Sequence, residues 1–169
     1  ALLAAGGTST LSYINSYDTP SASTTLTLNV NDNGNPGTGG AQSSQDTATI
    51  NITAINDAPA ATITPTSYSV NEQSTLTLKG TGLAIADVDA ASGSMSVTLS
   101  VGEGTINATA GDSGATVSGS GTNSITITGS VAQINALLAS GGTSTLSYIN
   151  SSDTPSASTT LTLNVNDNG

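Results

Sequence analysis

The stretch TTLTLNVNDNG, residues 159–169, alternates Leu and Val with Thr and Asn, and it ends in a run of Asp, Asn and Gly. Alternation with a period of two is typical of a strand that has one buried face, and Asp, Asn and Gly favour a turn after it. The same residues also occupy positions 24–34. The sequence therefore predicts the same β-strand, followed by the same acidic turn, twice in one chain.

The duplication extends beyond this strand. Residues 1–34 and 136–169 match at 32 of 34 positions, and they differ only at Ala5 against Ser140 and Tyr17 against Ser152. The period, 136 − 1 = 135 residues, is that of a whole domain; the units of a solenoid span only roughly 20–50 residues. We expect a tandem array in which residues 1–57 form the C-terminal part of one repeat, residues 58–59 the junction and residues 60–169 the N-terminal majority of the next.

The same alternation occurs in residues 47–56, 61–70, 74–80, 94–101 and 123–129, separated by Gly, Asn and Asp. Many short strands with frequent turns indicate an all-β fold, an antiparallel sandwich of the immunoglobulin type. One segment breaks the pattern, because Val131, Ile134, Leu137 and Leu138 follow helical spacing. Ser130 and Gln133 precede them as a capping box, so we predict one short helix that ends near Gly141 or Gly142.

The charge balance excludes several classes of function. The chain has eleven acidic residues against a single basic one, Lys79, which gives a net charge of −10. Nucleic acid and anionic membrane surfaces are therefore not expected as partners, and no apolar run is long enough to insert into a membrane. Histidine and cysteine are absent, so Ser113 in the segment GDSGA has no histidine base to activate it, and we expect no enzyme. A divalent cation bound by oxygen ligands is the natural counter-charge.

The chain contains four acidic motifs. They are SVNEQSTLTL (69–78), IADVDAASG (85–93), NVNDNGNPG (29–37) and DTATINITAINDAP (46–59). A Glu after the first strand, a D-x-D loop, a D-x-G-x-P turn and an N-D-x-P junction resemble the pattern of cadherin repeats. The chain is most similar to the cadherin-like tandem repeats of giant bacterial (RTX-type) surface adhesins. That resemblance implies a cadherin-like β-sandwich in tandem array, with calcium, Ca²⁺, bound between consecutive domains.

The resemblance also implies a ligand set. Asn56, through its backbone carbonyl, and Asp57 come from the junction, and the next domain adds carboxylates from its D-x-D loop and its last turn. Asp32 has the same role at the preceding junction, and Glu72 serves the next one at the far end of its domain. Acidic residues outside the motifs, such as Asp46, Glu103 and Asp112, are expected to be solvated surface. The metal ligands implied are Asn56, Asp57, Asp87, Asp89, Asp167, Asp32 and Glu72.

Strand direction supports this grouping independently of the resemblance. If the strand from Ala61 runs away from the junction, the strand that ends near Ala86 returns and brings Asp87 and Asp89 back to it. The last two strands of a repeat are predicted to be antiparallel, so their connecting loop, which contains Asp32 or Asp167, lies at this same end.

We therefore expect a calcium-stiffened structural extender repeat of a secreted bacterial adhesin or surface fibre, which mediates cell adhesion or biofilm attachment. Neighbouring identical repeats, in the same or adjacent chains, are its expected partners. Two alternatives stay open. One is a module that binds protein or carbohydrate, such as host or surface glycans. The other is a filament subunit, in which neighbouring chains complete each partial domain by strand exchange.

Overall fold

The computed structural model describes residues 8–34 and 37–169. The chain divides into two compact units, Ala1–Ile55 (unit 1) and Asn56–Gly169 (unit 2). Antiparallel strands dominate the described residues, together with one short helix. The expectation of an all-β fold with a short helix is confirmed.

The regular structure in the described part of unit 1 is one hairpin. Strands β1 (Ser23–Asn31) and β2 (Ser43–Asn51) pair antiparallel along their whole lengths, with Ser23 opposite Asn51 and Asn31 opposite Ser43. The antiparallel arrangement predicted for these two strands is confirmed. The apolar residues of β1 stay about half exposed, at 51% for Leu26 and 55% for Val30. The predicted strand 47–56 is shorter than expected at its C-terminal end, because regular pairing stops at Asn51.

Unit 2 contains three antiparallel sheets around one core. The first has the order β11–β6–β9–β8, the second β4–β10–β7, and the third is the pair β3–β5. Their elements are β3 (Ala60–Ile63), β4 (Leu76–Thr77), β5 (Leu83–Ala86), β6 (Met95–Val101), β7 (Thr105–Thr109), β8 (Thr116–Ser118), β9 (Ser124–Gly129), the helix α1 (Val131–Leu138), β10 (Thr145–Ile149) and β11 (Leu161–Asn166).

The core is largely aliphatic, with Tyr148 as its buried aromatic side chain; the sequence contains no Phe or Trp. Along β6 every second side chain is buried, which is the period of a strand with one face on a core. The two larger sheets, β5 and the helix all contribute to this single cluster. Its fully buried side chains are Leu78, Met95, Val97, Leu99, Ile106, Ile125, Ile127, Ile134, Leu137, Leu138 and Leu146.

Helix α1 begins where the sequence predicts. The Ser130 hydroxyl accepts from the backbone N–H of Gln133 at 3.3 Å, and Gln133 Oε1 accepts from the N–H of Ser130 at 2.9 Å. The predicted capping box is confirmed. The side chain of Asn135 holds the helix against β5, because it donates to the carbonyl of Ile85 at 2.8 Å and accepts from its N–H at 2.9 Å. The helix spans eight residues. No helix in the described part of the chain is long and apolar enough to cross a membrane.

Two predicted strands are longer in the sequence pattern than in the structure. The strand predicted at 61–70 ends at Ile63, and a last hydrogen bond joins the N–H of Thr64 to the carbonyl of Gly82; Pro65 has no N–H to offer a neighbouring strand. The pattern at 74–80 pairs regularly only at Leu76–Thr77. Beyond it the N–H groups of Leu78 and Lys79 both donate to the carbonyl of Leu146, at 3.0 and 3.1 Å. Two residues facing one is the arrangement of a β-bulge, which interrupts the ladder.

Identical residues adopt different structures in the two copies. The segment TSTLSYINS forms β10 within residues 143–151, where Leu146 is 1% and Tyr148 7% exposed. At residues 8–16 it forms no strand, and the equivalent Leu11 and Tyr13 are 70% and 53% exposed. In unit 2 this segment pairs with β4 and β7. Both of those strands belong to unit 2.

Candidate metal centre

Strands β3 and β5 bring the junction and the D-x-D loop together. Ala60 lies opposite Ala86 in their antiparallel pair, so Asp57, which precedes β3, meets the residues that follow β5. The N–H of Asp57 donates to Oδ2 of Asp89 at 2.9 Å. The return of this strand to the junction, predicted from strand direction, is confirmed.

Asp167 lies at the same end of unit 2. It directly follows β11, and its Oδ2 accepts a hydrogen bond of 2.6 Å from the side-chain amide of Asn56. Its Oδ1 accepts from the N–H of Gly169 at 3.2 Å. Chiefly the Asn56 hydrogen bond, and then that of Gly169, hold the pKa of Asp167 below its ordinary value of 3.8. The carboxylate is therefore charged at neutral pH, as a metal ligand must be.

The two carboxylate oxygens of Asp87 differ in their hydrogen bonds. Its Oδ1 accepts from the N–H groups of Asp89 and Ala90, both at 3.1 Å, which closes the tight turn of the D-x-D loop. Its Oδ2 is buried and has no hydrogen-bond partner among residues 8–34 and 37–169. An unpartnered carboxylate oxygen away from water is costly, and a hard cation is a ligand that would satisfy it.

The carboxylates of this end accept hydrogen bonds from amide and backbone N–H groups of the other candidate ligands. In the described residues no group of three or more acidic side chains is arranged so that it could hold a metal ion. The observed links are Asn56 to Asp167, Asp57 to Asp89, and Asp87 to the backbone of Asp89. A cation here therefore needs amide or carbonyl oxygens as well as carboxylates, and calcium commonly takes such mixed oxygen sets. The only basic side chain of the sequence, Lys79, donates instead to two oxygens of Ser144.

Asp32 occupies the equivalent turn of unit 1. Its Oδ1 accepts from the N–H groups of Gln42 at 2.8 Å and Gly34 at 3.0 Å, and in that order these bonds lower the pKa of Asp32. The carboxylate thus closes the loop between β1 and β2. Asn35 and Pro36 of the NVNDNGNPG motif lie outside the described residues. The metal-binding role of Asp32 at the preceding junction stays a prediction.

Glu72 lies apart from the other candidate ligands. It lines a cleft of about 310 Å³ beside the residues that precede β11, whereas Asp167 follows the other end of that strand. At about 3.4 Å per residue, β11 separates the two places by roughly 20 Å. The metal-binding role of Glu72 stays a prediction.

Glu103 lines the same cleft, although the sequence pattern indicated only solvated surface. Its carboxylate accepts from the Asn150 side chain at 2.8 Å and from the N–H of Ser156 at 3.1 Å. These bonds, with Asn150 the largest cause, lower the pKa of Glu103. The segment VGEGT, a Glu between two glycines directly after a buried strand, is the signal that could have identified it.

No protein-family model, curated protein or solved structure matches this chain.

Proposed function

We propose that the chain is a calcium-stiffened structural extender repeat of a secreted bacterial adhesin or surface fibre. The ion binds where one repeat meets the next, and it is held by oxygen atoms of Asn56, Asp57, Asp87, Asp89 and Asp167. Calcium neutralises carboxylates that otherwise repel one another, and it fixes the segment between successive domains. The function is mechanical, since it turns a string of domains into a rod that presents an adhesive part at a distance.

The main support for this proposal is the environment of Oδ2 of Asp87. This atom is a buried carboxylate oxygen to which no described residue donates a hydrogen bond, in a loop whose other carboxylate, Asp89, contacts the junction. Folding does not normally leave such an atom unsatisfied. The nearby hydrogen bond of Asn56 to Asp167 brings a fourth acidic residue to the same end of the unit.

The fold proposed for the complete repeat is a cadherin-like sandwich in tandem array. Two sheets of unit 2, β11–β6–β9–β8 and β4–β10–β7, share one core, as the layers of a sandwich do. In unit 1, β2 ends at Asn51, opposite Ser23, and the counterpart of Ser23 in the second copy is Ser158. A strand equivalent to β2 that pairs with β11 in the same way ends beside Ser158, which lines the cleft of Glu72 and Glu103. The domain boundaries 1–57, 58–59 and 60–169 belong to this proposal.

Calcium titration of the full chain tests the proposal. Extracellular calcium modules bind with dissociation constants of about 10⁻⁴–10⁻³ M. A ligand at ten times its dissociation constant stabilises the folded state by about 1.4 kcal/mol. We therefore expect the melting temperature of unit 2 to rise by a few degrees in millimolar calcium relative to EDTA. Identical melting curves in the two buffers would overturn the proposal.

A pair of variants locates the effect. Asp89→Asn removes a carboxylate from the proposed site, and Asp46→Asn removes the same charge from the exposed strand β2. We expect Asp89→Asn to abolish most of the calcium-dependent rise, whereas Asp46→Asn retains it. Equal loss in both variants would show that calcium acts through net charge rather than through this site.

A further inference from the structure

The two carboxylate oxygens of Asp167 have different partners. Its Oδ1 accepts from the N–H of Gly169 at 3.2 Å, two residues further along the same turn. The identical turn of unit 1 has the same contact, because Oδ1 of Asp32 accepts from the N–H of Gly34 at 3.0 Å. The turn therefore uses one carboxylate oxygen for its own backbone, and Oδ2 of Asp167 is left for a partner from elsewhere in the chain.

That partner is the side-chain amide of Asn56. Its Nδ2 donates to Oδ2 of Asp167 at 2.6 Å, although the two residues are 111 positions apart in the sequence. The amide also packs closely against the backbone of Gly169, where an added Cβ would lie 2.9 Å from Nδ2 and 3.1 Å from Oδ1 of Asn56. A hydrogen bond to a charged group is stronger than one between neutral groups. The contact therefore fixes the Asn56 side chain on its own unit.

The next residue makes a second contact of the same kind. The backbone N–H of Asp57 donates to Oδ2 of Asp89 at 2.9 Å. Two consecutive residues of the junction thus each give an N–H group to a carboxylate that is a candidate calcium ligand. An N–H group carries a partial positive charge, so it repels a cation that approaches the same oxygen. The junction and the ion therefore compete for these two carboxylates.

The acidic side chains of this end are directed towards N–H donors rather than towards one shared point. No three of them, within residues 8–34 and 37–169, are placed so that they could hold an ion together. Oδ2 of Asp87 differs from the rest, since it is buried and no described residue donates to it. Calcium takes about six to eight oxygen ligands. An ion at Asp87 therefore gains Asp167 as a ligand when Asn56 releases it.

We propose that the side-chain amide of Asn56 is a latch, which holds Asp167 in the absence of calcium and leaves it when the ion binds. The inference rests on the proposed function, because it gives Asn56 a second role at the same site. The backbone carbonyl of Asn56 is the implied ligand, whereas its side-chain amide competes with the ion. The latch keeps the first residues of unit 2 attached to their own domain without calcium. It also lowers the affinity for calcium, because its hydrogen bond is broken when the ion binds.

Asn56→Ala separates the two roles, because it keeps the backbone carbonyl and removes the amide. We expect this variant to bind calcium about tenfold more tightly than the parent chain, since no hydrogen bond to a charged group has to be broken. In EDTA it is expected to melt at a lower temperature than the parent chain. Calorimetric titration of the full chain with calcium chloride measures the affinity. Asn164→Ala, the same change at an exposed position on β11, is the control and should alter neither quantity.

Nuclear magnetic resonance observes the latch directly in the parent chain. The side-chain amide signals of Asn56 are identified by their absence in Asn56→Ala. We expect these amide protons to exchange slowly with water in EDTA and to lose that protection at calcium saturation.

Two results would overturn the latch and leave the calcium site standing. One is a calcium affinity of Asn56→Ala that is equal to or weaker than that of the parent chain. The other is an Asn56 amide that stays protected when calcium is saturating. If neither the parent chain nor either variant binds calcium, the latch and the proposed function are both wrong.

Discussion

Asn56 opens unit 2, and its side chain contacts Asp167 near the other end of the sequence. The hydrogen bond favours the charged form of Asp167, which lowers its pKa. A carboxyl group with a lowered pKa stabilises the folded state above its unfolded pKa, and this contribution is lost as the pH falls through the folded value. The contact therefore makes the stability of unit 2 depend on pH.

We predict that Asn56→Ala raises the pKa of Asp167 towards its ordinary value of 3.8 and lowers the melting temperature of unit 2 at neutral pH. The difference from the parent chain should shrink as the pH falls below 3.8. Carboxyl carbon shifts in an NMR titration report the pKa, and thermal unfolding in EDTA reports the stability. Asn164→Ala, an exposed position on β11, is the control and should change neither quantity. An unchanged Asp167 titration in Asn56→Ala would contradict the assignment.

At the scale of elements, the two copies of LSYI separate local preference from tertiary pairing. The sequence alternation favours a strand at both places, yet only residues 145–149 form one. Leu146 and Tyr148 are buried against the core when β4 and β7 flank the segment. Strand propensity reflects fit to a pleated, half-buried surface, so without that surface the same residues do not pair.

We predict that Leu146→Ala lowers the free energy of unfolding of unit 2 by about 2–5 kcal/mol, the usual cost of deleting a buried leucine. Leu11→Ala makes the identical change in the other copy, where Leu11 is 70% exposed, and should cost no more than about 0.5 kcal/mol. Urea unfolding followed by circular dichroism measures both. Equal effects of the two changes would show that residues 8–16 are packed in solution as residues 143–151 are.

At the scale of the whole molecule, acid weakens the fold through several carboxylates at once. Hydrogen bonds from backbone or side-chain N–H groups lower the pKa values of Asp32, Glu103, Asp112 and Asp167. For Asp112 the N–H of Thr143 is the largest cause, at 2.7 Å. Each contribution is present at neutral pH and is lost as the pH falls below the ordinary carboxyl values of 3.8 and 4.5. Protonation also relieves repulsion among the acidic residues, which opposes this trend but acts without specific partners.

We predict that the melting temperature of unit 2 falls as the pH is lowered from 4.5, and that Glu103→Gln makes this fall less steep. Glu103 ties Asn150 and Ser156 to the turn after β6, and the amide of Gln keeps the shape but not the charge. The control is Glu72→Gln, which removes the same charge from the same cleft. Thermal unfolding in EDTA across this pH range provides the measurement. A parallel change in both variants would assign the effect to net charge.

The sequence by itself determined the features that depend on neighbours along the chain. The period-two alternation located β6, β9 and β11, and Ser130 with Gln133 fixed the start of α1 through contacts within one turn. The copied segment defined the repeat length. Strand direction alone also brought Asp87 and Asp89 to the junction, because antiparallel pairing leaves few choices.

Only the tertiary structure decided features that depend on distant partners. It decided that the same nine residues form a strand in one copy and not in the other, and that the strand at 74–80 breaks where two N–H groups share one carbonyl. It also decided that Asp87 keeps a buried oxygen without a hydrogen-bond partner in the described part of the chain, and that Glu72 and Glu103 line one cleft. Pairing, burial and hydrogen-bond satisfaction are set by residues far apart in the chain, and no local pattern contains them.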